Sequence, residues 1–225
     1  MTTKIRLLAL ALAIMLLLSA CGGGTTPPPT VPPAQNGDAN GDTNGADEDV
    51  GPLARGTISG VTYSSDLAQL TFTLPDDGWD WVDDDVIAEM MGITVDMMAD
   101  EMDLSELDIQ TLYDMVAAHD SGTNIIVAIE DLTNHPGGRL ITVTALVEAL
   151  KGEMEALDIM SYTFRPDSEI AIRGNTYVLV TADVEMQGLH FVQHYLVRRQ
   201  GNYMISVIIS LFDGMSIDDI MPHFS

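Results

Sequence analysis

Five histidines, one cysteine and 34 acidic side chains hold most of the reactive chemistry in this 225-residue chain. Two histidine rings can hold zinc when they converge, and His190 and His194 are four residues apart. Position 191 is Phe, so the His-Glu-x-x-His pattern of zinc proteases is missing. The surrounding segment alternates like a strand. Four residues of strand cover about 13 Å, too far for both rings to grip one ion. His119, His135 and His223 fall near turns or the terminus. No Gly-x-Ser-x-Gly elbow, phosphate-binding Walker loop or Ser-x-x-Lys pair occurs. Carboxylates are so abundant that no single acid–base pair stands out. The expectation is a non-enzymatic protein with no catalytic residue, no cofactor-binding residue and no metal ligand to assign.

One stretch keeps a metal-binding alternative open. Residues 76–108 carry Asp76, Asp77, Asp80, Asp83, Asp84, Asp85, Glu89, Asp96, Asp100, Glu101, Asp103, Glu106 and Asp108, with no Lys or Arg among them. Met90, Met91, Met97, Met98 and Met102 crowd the same stretch. Carboxylates suit calcium and thioethers suit Cu(I). Yet Met91, Val95, Met98 and Met102 recur at helical spacing, as a core-facing stripe does. Acidic first turns also suit the helix dipole. Solvated carboxylates over packed methionines are therefore the expectation, with divalent-cation binding the alternative.

Cys21 is the only thiol, so no disulfide can form within the chain. Lys4 and Arg6 precede an apolar run from Leu7 to Leu18, and Leu18-Ser19-Ala20 leads into Cys21. A helix of about twelve residues spans about 18 Å, short of a hydrocarbon core of about 30 Å. The run therefore reads as the core of a signal peptide, residues 1–20. Leu-Ser-Ala-Cys resembles the lipobox of bacterial prolipoproteins. That resemblance implies cleavage before Cys21, lipidation of its sulfur and anchoring at the extracytoplasmic face of the cell membrane. Each buried methylene contributes about 0.8 kcal/mol, so two or three acyl chains make a stable anchor where one does not.

Residues 21–56 continue as a linker. They contain Pro27-Pro28-Pro29, Pro32-Pro33 and a run of Asn, Gly and Asp from Asn36. Little apolar surface is available to bury, so disorder is expected. A flexible coil of this length reaches roughly 30–35 Å. Asn36, Asp38, Asn40, Asp42, Asn44 and Asp47 partly match the ligand spacing of a calcium loop. The first position is Asn, the last is Asp instead of Glu, and no helix pattern flanks the run, so an acidic linker is the reading kept. The formal net charge of −25 repels nucleic acid and anionic lipid headgroups, which excludes nucleic acid as a partner. An unknown protein or small ligand is the partner expected.

Residues 57–225 are long enough for a single domain with its own core. Period-two alternation predicts strands over 57–63, 69–74, 112–118, 124–130, 159–165, 168–173, 176–186, 189–199 and 202–211. Gly174-Asn175, Gln187-Gly188 and Gly201-Asn202 separate the last runs, which predicts an antiparallel meander of four strands. Leu146, Leu150, Met154 and Leu157 predict one face of a helix capped by Thr142 or Thr144. A second helix should begin at Asp83–Asp85, break at Gly92 and restart after Thr94. A short helix from Ser216 to Met221 should return Phe224 to the core. Asn134-His135-Pro136-Gly137-Gly138 reads as a turn, and Trp79 and Trp81 as packing over a sheet end. The class is α+β: an antiparallel sheet flanked by helices.

Phe72-Thr-Leu-Pro-Asp-Asp-Gly-Trp79 resembles the strand-end signature of PsbP-like domains. The late run Gly201-Asn-Tyr-Met-Ile-Ser-Val-Ile-Ile-Ser, followed by an acidic helix and Phe224, is similar as well. The glycines after Cys21, the polar linker and such a domain together resemble lipoproteins of Firmicutes and related Gram-positive bacteria. The acidic, Met-rich stretch 76–108 departs from the PsbP pattern. The resemblance implies an α/β/α sandwich serving accessory or binding roles, with no shared catalytic site to carry over.

Overall fold

The computed structural model describes residues 51–75, 78–92, 111–133, 135, 137–212 and 214–225. Two antiparallel sheets carry the domain. The smaller consists of β1 (Thr57–Ser59), β2 (Thr62–Ser65) and β3 (Leu70–Thr73), in that order. The larger runs β4 (Trp79–Trp81), β5 (Thr111–His119), β6 (Asn124–Asp131), β11 (Tyr203–Leu211), β10 (Leu189–Gln200), β9 (Asn175–Met186) and β7 (Ser161–Phe164). β8 (Ser168–Ile172) shares β9's outer edge with β7.

The expected meander β8–β9–β10–β11 is present, with every pair antiparallel. Its turns carry the register. Gln187 (φ 50°) and Gly188 (φ 82°) are both left-handed, the backbone that a two-residue hairpin turn between twisted strands requires. The first turn sits one residue earlier than expected: Ile172 pairs with Asn175, so Arg173 and Gly174 are its centre and Asn175 belongs to β9. The single strand expected over 57–63 is likewise corrected. Ser59 pairs with Thr62, and Gly60 at φ 60° turns the chain between β1 and β2.

The large sheet separates two apolar layers. On one face lie α1 (Asp84–Met91) and α2 (Val143–Glu155). There Val147, Leu150 and Met154 of α2 pack on Ile126, Val180, Tyr195 and Ile208 of the sheet. Thr142 caps α2 by accepting a hydrogen bond from the Ala145 N–H at 3.1 Å. The buried stripe is Val143, Val147, Leu150 and Met154, with Leu146 and Leu157 only partly buried. The helix is thus rotated from the face expected on Leu146. α1 ends at Gly92, left-handed at φ 70°.

The small sheet and the C-terminal turns cover the opposite face. Tyr63, Leu70 and Phe72 pack there on Leu112, Met115, Val127, Leu196 and Val207. α3 (Ile217–Ile220) returns Phe224 to the core, 4.7 Å from Phe72 between ring centroids. Ser225 extends this contact by exchanging backbone hydrogen bonds with Thr71 at 2.7 and 2.9 Å. The sheet is sandwiched as expected, but the second layer is mainly another sheet.

A buried carboxylate joins the layers. The β5–β6 pairing is irregular between Tyr113 and Met115, and this bulge turns Asp114 toward the small sheet. Asp114 accepts hydrogen bonds from the Tyr63 hydroxyl at 2.5 Å and the Gly56 N–H at 2.6 Å. Burial pushes its carboxyl up, while the Tyr63 and Gly56 bonds and the Arg55 charge pull it back. Arg55 also pairs with Asp84 at the start of α1, at 2.9 Å. Leu53 is buried as well, and the Tyr203 hydroxyl donates to Gly51 O at 3.1 Å. The linker expected to run through residue 56 therefore gives way to packed chain before Thr57.

Tyr63→Phe should leave one carboxylate oxygen buried without its donor. The expected loss is about 1–3 kcal/mol, with little change in the slope of a urea unfolding curve. A loss below about 0.5 kcal/mol would show that Asp114 holds the layers through its other contacts.

Candidate ligand-binding cleft

Where the β9–β10 hairpin extends beyond the small sheet, a solvent-open cleft of about 360 Å³ forms. The floor follows from register, since residues paired across antiparallel strands share a face. Ser161 of β7 lies opposite Glu185 of β9, and Glu185 opposite His190 of β10. In the next row Thr163 lies opposite Asp183, Asp183 opposite Val192, and Val192 opposite Leu211 of β11. Gly214 and Met215, just past β11, complete the lining. Gly214 at φ 82° turns the chain there.

Electrostatically the two carboxylates differ. Arg165 grips Asp183 with two bonds, from Nε at 3.0 Å and Nη2 at 2.6 Å. The Arg165 bond holds the Asp183 carboxyl below the usual range. Glu185 forms no ion pair with Lys or Arg among the described residues. One row deeper, the Thr181 hydroxyl and His194 Nδ1 lie 2.9 Å apart. His194 is only 6% exposed, and burial, aided by the Arg165 charge and opposed by Asp183, pushes its pKa down to about 4. It is therefore neutral at ordinary pH.

Ser161, Glu185 and His190 place a hydroxyl, a carboxylate and an imidazole in one row, which invites comparison with a hydrolase triad. The order is wrong for that chemistry. A triad needs the imidazole between the hydroxyl and the acid. Here the acid is central, and two strand spacings put Ser161 and His190 about 10 Å apart. The row can accept and donate hydrogen bonds to a ligand, but it cannot relay a proton from Ser161 to His190.

The other expected features sort themselves by position. Cys21, the run Asn36–Asp47, Asp76, Asp77 and residues 93–110 lie outside the described residues, as do Met97, Met98, Met102 and the restart after Thr94. Asp83, Asp84, Asp85 and Glu89 are solvent-exposed around α1. Met91 packs inward and its sulfur accepts from the Tyr113 N–H at 3.4 Å. His190 and His194 share a face of β10, but only His190 reaches the cleft. His119 meets Ser121 at 2.9 Å and the Trp79 ring at 5.4 Å. Trp79 is buried on β4, and Trp81 donates to Gly60 O at 2.8 Å, so both tryptophans pack the sheet end. The described part of the 134–138 segment forms a turn, with Gly137 at φ 78°. No group of three His, Cys, Asp or Glu side chains disposed to hold a metal ion occurs among the described residues. No described helix is long and apolar enough to cross a membrane.

Glu185, Asp183, Ser161 and Thr163 were not singled out by motif. The signal for the first two was present: Thr181, Asp183 and Glu185 alternate with Val180, Ala182, Val184 and Met186, and the turn at Gln187-Gly188 sets Glu185 against His190. Nothing local announces that β7 will pair with β9.

These elements define an α+β domain of antiparallel sheets with few helices. Among solved structures, the chain is similar to the cyanobacterial PsbP (CyanoP) of Synechocystis at 15% identity, over 80% of this chain and 97% of that chain, with a TM-score of 0.43. It is also similar to a protein of Bacteroides thetaiotaomicron at 9% identity, over 69% of this chain and 44% of that chain, with a TM-score of 0.34. No protein-family model matches the sequence, and no curated protein matches it either.

His194 makes stability depend on pH in a defined window. An unfolded histidine titrates near 6.5, whereas this one holds its proton only below about 4. Between those values the unfolded chain binds more protons, so stability rises with pH and is lost on acidification from about 6.5 to 4. His194→Gln should flatten that part of the profile, read as urea midpoints at pH 7 and pH 4.5. An unchanged difference between the two midpoints would remove His194 as the cause.

Proposed function

We propose that the chain is an exported lipoprotein, anchored through Cys21 at the extracytoplasmic face of the cell membrane. A linker holds a single folded domain away from the bilayer, and that domain binds a small ligand or a segment of another protein without transforming it. The cleft over β7, β9 and β10 is the observation that carries this reading. It is built on strands, open to solvent, and lined by polar groups that converge on one space of about 360 Å³. Its hydroxyl, carboxylate and imidazole are ordered for recognition and not for proton relay. The anchor and linker of the sequence account for the location, and the net charge of −25 favours a partner that is not a polyanion.

Two measurements test the two halves. Cells expressing the full chain should incorporate labelled fatty acid into it and retain it in the membrane fraction. Cys21→Ala should abolish the label and release the chain. A screen of small ligands and peptides should raise the melting temperature, since binding at a hundredfold Kd adds about 2.7 kcal/mol of stability. Chemical turnover of a stabilising ligand, abolished by a point substitution in the cleft, would overturn the non-enzymatic reading.

A further inference from the structure

The cleft's two walls differ in kind. On the β7–β9 side are the Ser161 and Thr163 hydroxyls and the carboxylates of Asp183 and Glu185; opposite lie Leu211 and Met215. Arg165 already neutralises Asp183 through two bonds, so the unbalanced charge of the cleft is concentrated on Glu185. A ligand that satisfies this space needs a cationic donor head for Glu185 and the neighbouring hydroxyls. It also needs an apolar stem to lie along Leu211 and Met215.

Two other chemistries fit less well. An anionic head would meet Glu185 in a chain of net charge −25. A sugar ring gains most from an aromatic face to lie on, and the cleft's one aromatic residue, Phe191, already stacks its ring on Phe212 at 4.6 Å and 18°. The cleft opens to solvent beside β7, which at Ser161–Phe164 is the outermost strand of the sheet. A long side chain carried on a partner's surface can therefore enter without the partner's backbone being engulfed.

We propose that the cleft receives a lysine or arginine side chain of a polypeptide partner, with Glu185 as the carboxylate for its cationic head. This rests on the cleft being the binding site, as proposed above, and adds the class of ligand. Glu185 sets the charge preference, the β7 hydroxyls take the remaining N–H donors, and Leu211 and Met215 cover the methylenes.

The test is a titration of the full chain, isotopically labelled and in detergent, with three short capped peptides differing at one residue: Lys, norleucine or Glu. Backbone resonances are followed throughout. The Lys peptide should shift the signals of Ser161, Asp183, Glu185 and His190, and Glu185→Gln should weaken its binding at least tenfold. Asp85→Asn removes the same charge from the exposed surface of α1 and should change binding less than twofold. Equal weakening by the two substitutions would mean general charge attraction and overturn the proposal. Shifts at the cleft from the norleucine or Glu peptide but not from the Lys peptide would overturn the ligand class while leaving the cleft as a binding site. No shift at the cleft from any of the three would overturn the proposal too. The membrane anchorage would stand in every case, because it is read independently through Cys21.

Discussion

Antiparallel register across β7, β9, β10 and β11 is the constraint on which both the cores and the cleft depend. Side chains alternate faces with a period of two, so sliding β9 by one residue would exchange the two layers. Val180, Ala182 and Val184 would leave their apolar layer, and Thr181, Asp183 and Glu185 would be driven into it. The two-residue turn at Gln187–Gly188 opposes such a slip. Gly188 supplies a left-handed backbone at little cost, whereas Gln187 adopts one at φ 50° with a Cβ. Nine consecutive ladder pairs between β9 and β10 make that local cost tolerable. The same nine pairs fix Glu185 against His190.

Buried charge gives the fold its second constraint. Asp114 sits between layers with donors from Tyr63 and Gly56, and Arg198 sits at the far end of β10 in an equally dry place. Arg198 donates to Ala68 O at 2.7 Å and to the Gln200 side chain, and its guanidinium lies 5.3 Å from the Tyr177 ring centroid. Neither group adds stability simply by being charged, because taking a charge out of water is costly. Their effect is selective. Each keeps its hydrogen bonds to the segment from Gly56 through Ala68 only when that segment lies at one position on the large sheet. An apolar contact there would tolerate sliding; a hydrogen-bonded carboxylate and guanidinium do not.

Most of the sheet was legible because its signals are local. The alternation of Val178 to Met186 and the dipeptides Gln187-Gly188 and Gly201-Asn202 declare strands, faces and neighbours without reference to distant chain. Gly60 carried a signal that the expected strand over 57–63 passed over: a glycine inside an apparent strand, here the turn between β1 and β2. Two features were not. The bulge at Asp114 shifts the phase of β5, so that Asp114 and Met115 both serve the layer beneath the small sheet; a polar residue in an apolar run gives no hint of it. The pairing of β7 with β9 joins residues separated by β8 and its turn, and no local pattern encodes it. The cleft needs that pairing, so its β9 and β10 residues were within reach of the sequence while Ser161 and Thr163 were not.

The cleft's position follows from a mismatch in strand length. β9 and β10 are twelve residues each, about 40 Å, whereas β1, β2 and β3 are three or four. A short sheet cannot cover a long hairpin, and the composition records where cover ends. Along β9 the face beneath the small sheet reads Tyr177 and Leu179, then Thr181, then exposed Asp183 and Glu185. Along β10 it reads Leu196, buried His194, partly exposed Val192 and exposed His190. On the reverse face Ala182, Val184 and Met186 stay buried against Met160 and β7, so the overhang is stiff even where it is bare. Stiffness on one side and solvent on the other let charged groups hold fixed positions without burial, and binding then forfeits little entropy at the protein's side.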